Sequence, residues 1–578
     1  NNPRVAKIAY LDQHYQEYDS YIIGSPSAAS YNTDELNKYM NAKFYNLFVY
    51  GCDTKDYCNY ADYIIENYKV NNIVLNLGIN EANSYAFNSN NCTEGEHAKV
   101  TGENLFMFYL RYVFCNPKYS FEKINSYFHD TELPQVFDLF VEKNGCYDKR
   151  VQDIEKTGDL DAYTTKHANV FAPSSEKSSL PNAKDCAKSV SYIKQLCVKN
   201  NVNLIVVFSP IYEAQWNSCS EEAIRDYKEQ LAKVTNYWDF SYSSISFDSR
   251  YFYDDTNFRT AVGNMMLAKM FDNQNVYYPD DFGKYVTKSN IYDYLTMLFD
   301  QTQARNLNEY TVNVPILMYH NLASTPNSST VITAEAFEKQ LQIINDAGYH
   351  TVSFDDLINY VYHGAKLPDK PICITFDDGY LSNYQTAYPI LQKYDMKATI
   401  FAIGVNIGHT TYKDTSYTII PHFSYQQANQ MMNSGLISIQ SHTYDMHQWA
   451  DYENTKSARS TIAQFSGESD KHYISALTRD YDTFAKEYYN ETGRTMDVLS
   501  YPQGTYSTLS EVVLHQLGVK VTLTTDANCQ NTLVKGLPQT LYALGRFNMT
   551  EDTTKKELLN YLKNNNTFDG INIYHNKL

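Results

Sequence analysis

The chain is 578 residues long, 43% hydrophobic, with a formal net charge of −18. That length suits two domains, one of them large enough for a barrel of about 250 residues. The acidic balance argues against nucleic acid or an anionic membrane surface as partner, and it is compatible with a cationic polymer. No run of about 18 apolar residues occurs, so no segment reads as membrane-spanning. The sequence opens on Asn1 in polar residues. A signal peptide or N-terminal anchor is therefore expected to have been removed, which places the protein outside a bacterial cell, secreted or at the surface.

From the N-terminus the chain alternates strand and helix signals. Asp19–Gly24, Phe44–Gly51, Asn72–Gly78 and Val202–Phe208 read as apolar strands. Helical stretches at Ala61–Tyr68 and Ala187–Lys199 precede the third and fourth. This βαβ rhythm predicts a parallel sheet with helices on both faces, a three-layer α/β domain of flavodoxin-like type whose site lies on the loops after the strands. Cys52 and Cys58 bracket a short loop and could be bridged. Cys186 and Cys197 sit too far apart along one helix to pair with each other.

The order of glycines and polar residues in this half resembles the SGNH (GDSL-like) hydrolases. Gly51 fits that family's second block, Gly78-Ile79-Asn80-Glu81 its third, and Tyr253–Arg259 the late block that normally supplies a histidine. Two departures matter. The nucleophile position is Pro26, flanked by Ser25 and Ser27, and the histidine position is Asn257. Proline has no nucleophile, and asparagine cannot take and return a proton. Residues 1–300 are therefore expected to be an SGNH-like domain without catalysis. The alternative is an esterase using Ser25 or Ser27 with another base. Residues 301–313, around the polar and aperiodic stretch Gln301–Glu309, are expected to be a linker.

In the second half, Ile316–Tyr319 is a strand ending at His320. Pro371–Phe376 is a buried strand that delivers Asp377 and Asp378 to a turn at Gly379, and Leu436–Gln440 delivers His442. His447 lies five residues further on. On a helix that spacing would rotate the two rings about 140° apart, so His447 is expected on a turn or first helical turn, with Asp445 between them able to orient a ligand. Asp378, His442 and His447 are the ligand set of a one-metal hydrolytic site, with Asp377 left over as a base.

Residues 314–578 resemble the polysaccharide deacetylases of the NodB-homology type, carbohydrate esterase family 4. Pro315–His320, Thr375-Phe376-Asp377-Asp378-Gly379, Lys397–Phe401 and Ser441–His447 carry the likeness, most closely to the branch acting on poly-N-acetylglucosamine exopolysaccharides. The resemblance implies a deformed (β/α) barrel. It also implies one divalent metal, Zn2+ above all with Co2+ or Ni2+ as substitutes, on Asp378, His442 and His447, and Asp377 as general base. The family's third motif usually begins with Arg; here Ser500-Tyr501-Pro502-Gln503-Gly504 stands in its place, leaving the Gln503 backbone N–H as oxyanion donor. Its late Leu-x-His is replaced by Leu544-Gly545-Arg546; in the exopolysaccharide branch that histidine comes from the start of the domain, so the resemblance implies His320, at the end of its strand, as general acid. The implied reaction is release of acetate from an acetylated polysaccharide. Exopolysaccharide, peptidoglycan and chitin-like N-acetyl substrates and O-acetylated xylan all stay open. So does a carbohydrate-binding scaffold with inactive sites.

Overall fold

A computed structural model describes residues 3–50, 54–83, 96–113, 143–173, 177–300, 309–413, 415–449, 458–527 and 531–563, with a few isolated positions between them. The chain divides into two compact units. The first comprises Asn1–Asp153, Leu160–Arg305 and Asn572–Leu578, the second Ile154–Asp159 and Asn306–Ile571.

The first unit is built on six strands, β1 (Ser20–Gly24), β2 (Phe44–Asn46), β3 (Asn72–Leu77), β4 (Asn203–Phe208), β5 (Tyr237–Asp239) and β6 (Lys284–Val286), in the order β2-β1-β3-β4-β5-β6. All neighbours are parallel except β6, which runs antiparallel to β5. The four strands expected from sequence are present, but β2 stops at Asn46, short of Gly51. There the Asn46 side chain donates to Ala28 O and accepts from Phe48 N, a local turn that competes with the sheet ladder. Helices Thr54–Asn67 and Ala183–Lys199 pack together, the second also on Glu221–Val234. Their apolar faces (Tyr57, Ala61 and Ile64; Val190 and Ile193; Ile224 and Leu231) close over Ile73 and Leu75 of β3. Gly51 and Cys52 lie outside the described residues, so the oxyanion position and the Cys52–Cys58 bridge expected there do too.

The second unit contains β7 (Thr311–Asn313), β8 (Ile316–Tyr319), β9 (His350–Thr351), β10 (Pro371–Phe376), β11 (Ala398–Ala402), β12 (Ile437–Ser441), β13 (Val498–Ser500), β14 (Val521–Leu523), β15 (Thr532–Val534) and β16 (Phe547–Asn548). Its main sheet runs β14-β13-β12-β11-β10-β8-β16, with β9 also on β10, and is parallel throughout. Every residue of β8, β10 and β11 is buried, because the strands are covered on both faces. Leu317, Ile374 and Ile400 enter one apolar cluster, and Ile316, Cys373 and Phe401 another. The segment after β15 spans the two edges of the sheet. Leu544 exchanges backbone hydrogen bonds with Thr522 and Thr524 beside β14, while Phe547 and Asn548 pair with β8. This curved parallel sheet fits the deformed barrel expected from the motifs. β7, expected as linker, is instead a strand paired with β15.

Candidate active site

Three strands of the main sheet end at the site, and each turns off through a residue in the left-handed region. Asp378 after β10 has φ 72°, Thr443 after β12 φ 69°, and Gln503 after β13 φ 56°. Non-glycine residues adopt this region at a cost, a β-branched threonine most of all. The turns aim successive side chains into one place instead of on alternate faces of a strand. Gly379 continues the first turn at φ 82°, where an added Cβ would sit 3.0 Å from that of Ala402.

Asp378, His442 and His447 converge, with one ligand atom from each lying within 4.8 Å of the others. Asp378 Oδ1 is 3.6 Å from His442 Nε2 and 3.6 Å from His447 Nε2. Four ligands at about 2.1 Å in a tetrahedron stand roughly 3.4 Å apart, so the spacing suits a single cation. The hydrogen bonding agrees. His442 Nδ1 donates to Ser500 O at 2.8 Å and His447 Nδ1 to Ser460 O at 3.0 Å, which leaves both Nε2 lone pairs facing Asp378. Asp378 Oδ1 is buried without a hydrogen-bond partner. A buried bare carboxylate oxygen opposite two bare imidazole nitrogens is an unfavourable arrangement unless a cation joins them. Burial, opposed by Asp377, pushes the His442 pKa down to about 4, so the ring is neutral and able to ligate at neutral pH.

Asp445 does not orient either ring. It accepts from Tyr412 OH and pairs with Lys413. Asp480 shapes the turn instead, accepting the backbone N–H groups of Tyr444 and Asp445 at 2.8 Å each. His447 follows in an irregular turn, not a helix.

Asp377 is buried beside this cluster. Burial alone would raise its pKa, but the Arg546 guanidinium, with His442, more than offsets this and holds the carboxyl well below the usual range. Arg546 makes a two-pronged contact, Nη1 to Oδ1 at 2.7 Å and Nη2 to Oδ2 at 2.8 Å, and also donates to Ser500 Oγ at 2.8 Å and Thr524 O at 3.1 Å. Sequence reasoning missed Arg546. It takes up the space beside Ser500, the position where the third motif lacks its arginine. The only signal was that an arginine stood where the late histidine was missing. His320 follows β8 as Asp377 follows β10; these strands pair at Tyr319 and Phe376, which sets the two side by side. Asn383 Nδ2 holds the His320 carbonyl at 2.8 Å, and the half-buried ring keeps Nδ1 without a partner. Gln503 is exposed in the turn after β13.

In the first unit, Ser25, Pro26, Ser27, Gly78, Asn80 and Asn257 line one cleft at the C-terminal ends of β1, β3 and β4. Three stretches far apart in sequence, around Ser25, Gly78 and Asn257, therefore border one cleft. Ser27 Oγ is engaged by Asn76 Nδ2 at 2.9 Å, Ser25 Oγ at 3.1 Å and Ser209 Oγ at 3.3 Å.

Residues 364–522 match the polysaccharide deacetylase family. That stretch holds Asp377, Asp378, His442, His447 and Gln503, while His320 and Arg546 fall outside it. YxkH of Bacillus subtilis (strain 168), named as a candidate polysaccharide deacetylase, is 30% identical over 247 residues, which cover 43% of this chain and 75% of YxkH. The chain belongs to the polysaccharide deacetylase family. It is accordingly a hydrolase. A poly-β-1,6-N-acetyl-D-glucosamine N-deacetylase of Staphylococcus aureus (strain MRSA252) is 26% identical over 162 residues, 27% of this chain. The chain spans about half of that enzyme's length, 53%. The solved structure of IcaB from Ammonifex degensii aligns with a TM-score of 0.35 at 22% identity, over 44% of this chain and 97% of that one.

Proposed function

We propose that this deacetylase hydrolyses the acetamido groups of an N-acetylglucosamine-containing extracellular polysaccharide and releases acetate. The observation that carries this reading is the orphaned Asp378 Oδ1 facing two unprotonated imidazole nitrogens. Asp378, His442 and His447 would hold one divalent cation, Zn2+ by preference for a donor set of two imidazoles and one carboxylate, with Co2+ or Ni2+ as substitutes. When bound, the cation supplies Lewis-acid chemistry, acidifying a water and polarising the amide carbonyl.

The remaining steps belong to the chain's own groups. Asp377 stays ionised under the Arg546 fork and takes the proton of the attacking water. The Arg546 fork fixes its orientation, and Arg546 is itself held by Ser500 Oγ. The Gln503 backbone N–H donates to the oxyanion. His320, beside Asp377, gives its proton to the departing amine, a step an amide needs because an unprotonated amine leaves poorly. The printed activity of the staphylococcal relative supports the choice of polymer. It also favours a site of action outside the cell, where such a polymer is found. Among the described residues no helix is long and apolar enough to cross a membrane.

We assign residues 1–300 to an SGNH-like domain without catalysis, and the second unit, from β7 onward, to the deacetylase. The 2-1-3-4-5 parallel order of the first sheet favours the first assignment, as do Pro26 and Asn257 in its cleft. Acetate release from poly-N-acetylglucosamine, with chelator and with added Zn2+, tests the main reading. Release that is indifferent to both treatments, or confined to O-acetyl esters, would overturn it.

A further inference from the structure

We propose that the cleft of the first unit is a second carbohydrate site, which binds one uncharged acetamido-sugar residue and does not cleave it. The place is set by topology. Chain order reverses between β1 and β3, and side chains after β1, β3 and β4 open a crevice at that switch point, where parallel α/β sheets take their ligands. The cavity measures about 220 Å³, room for roughly seven waters at ~30 Å³ each. That is below the ~300 Å³ at which drug-sized pockets begin, a scale that suits a single sugar ring.

The described lining favours an uncharged ligand. Among the described residues no lysine, arginine or histidine lines the cleft. A phosphate or carboxylate would find no counter-charge there. The one acidic group, Glu81, is buried with both oxygens already used, Oε1 by Tyr57 OH at 2.9 Å and Oε2 by Gly78 N at 2.9 Å. The rest of the polar lining is neutral: the hydroxyls of Ser25 and Thr256, the amides of Asn80 and Gln215, joined by Gln215 Nε2 donating to Asn80 Oδ1 at 3.0 Å, and Asn257. Such groups both donate and accept, which is how hydroxyls and an acetamide are recognised. Pro26, Ile79 and Ile211 add an apolar wall for the acetyl methyl.

The same residues explain why the ligand would be held intact. Ser27 Oγ is tied into a buried network with Asn76 and Ser209, and Asn76 Oδ1 in turn accepts from Tyr31 OH at 3.0 Å and Ser209 Oγ at 2.8 Å. No group in that network has a basic lone pair for the serine proton. Asn257 turns its amide to Asp254, at 3.0 and 2.8 Å. The choice of an acetamido sugar over other neutral sugars rests on the deacetylase reading; the existence of the site does not.

The test is calorimetric titration of the full chain with N-acetyl-D-glucosamine, glucosamine and inorganic phosphate, in an Asp378→Ala background that disables the deacetylase centre. N-acetylglucosamine should bind in this background. Ser25→Phe, which fills the cavity from its rim, should weaken binding tenfold or more, and Gln215→Ala at least threefold, with unchanged melting temperature. Glucosamine should bind at least fivefold more weakly, and phosphate should not compete. If Ser25→Phe lowers the melting temperature, Gln215→Ala decides. Binding that vanishes with Asp378→Ala alone, that ignores both cleft variants, or that phosphate displaces would overturn the proposal. Acetate release measured in parallel separates the two readings. If the wild type releases none while the cleft still binds, the deacetylase reading falls and the cleft stands.

Discussion

Replacing Arg546 by methionine would leave Asp377 as a buried carboxylate without its two-pronged partner. The pair is fully desolvated, with Arg546 0% and Asp377 3% exposed, and its contacts are 2.7 and 2.8 Å long. Removing one member of such a pair costs about 3–5 kcal/mol, most of it the isolated charge left behind. Asp377→Asn in the same chain removes that charge, so the double variant should recover most of the loss. The sign with pH follows from linkage. In the wild type the folded Asp377 pKa lies below its unfolded value near ~3.9, so its stabilisation is present above that pH and is lost as pH falls through the folded value. In Arg546→Met the burial contribution is no longer offset by the guanidinium, and the folded pKa rises. The gap between wild type and variant should therefore be present already at pH 4, grow as pH rises through the variant's raised pKa, and be widest at pH 7 to 8. Scanning calorimetry of the full chain reads this on the transition that responds to added Zn2+. Arg546→Lys keeps the charge but not the fork, and misplacing the base should cost about 100-fold in turnover. If the two single costs add to within ~0.5 kcal/mol in the double variant, or if the gap does not change with pH, the pair does not hold the base and the argument fails.

Three further outcomes follow from the same geometry. His442→Ala should lose both bound metal and turnover, whereas Asp377→Asn should keep the metal by elemental analysis and lose turnover; a base variant that retains most of the rate would refute the assignment. His320→Ala should slow amide cleavage far more than cleavage of an activated aryl acetate, whose leaving group needs no proton, and equal losses on both would reduce His320 to a structural part. Asp480→Ala frees the backbone of Tyr444 and Asp445 between two ligands and should weaken metal binding about 10–100-fold, measured by competition with a chelating dye.

The sequence alone determined the parts that are local. Pro371–Gly379 and Leu436–His447 each combine an apolar strand with its own turn, so a short window contains both the ligands and the reason they point together. Alternation of apolar runs with helical stretches was enough to give parallel α/β sheets. Tertiary structure decided what distance in sequence conceals. Arg546 reaches Asp377 across 169 residues, and it does so because the segment running from Leu544 to Asn548 spans the two edges of a curved sheet. No pattern around Leu544-Gly545-Arg546 announces that closure. The ring partners were hidden for a related reason. His442 and His447 are oriented by the backbone carbonyls of Ser500 and Ser460, and every residue has a carbonyl, so side-chain chemistry in the sequence pointed instead to Asp445. The strained turns at Asp378, Thr443 and Gln503 belong to the fold in the same way: a left-handed φ at a threonine is imposed by surrounding packing, against the residue's own preference.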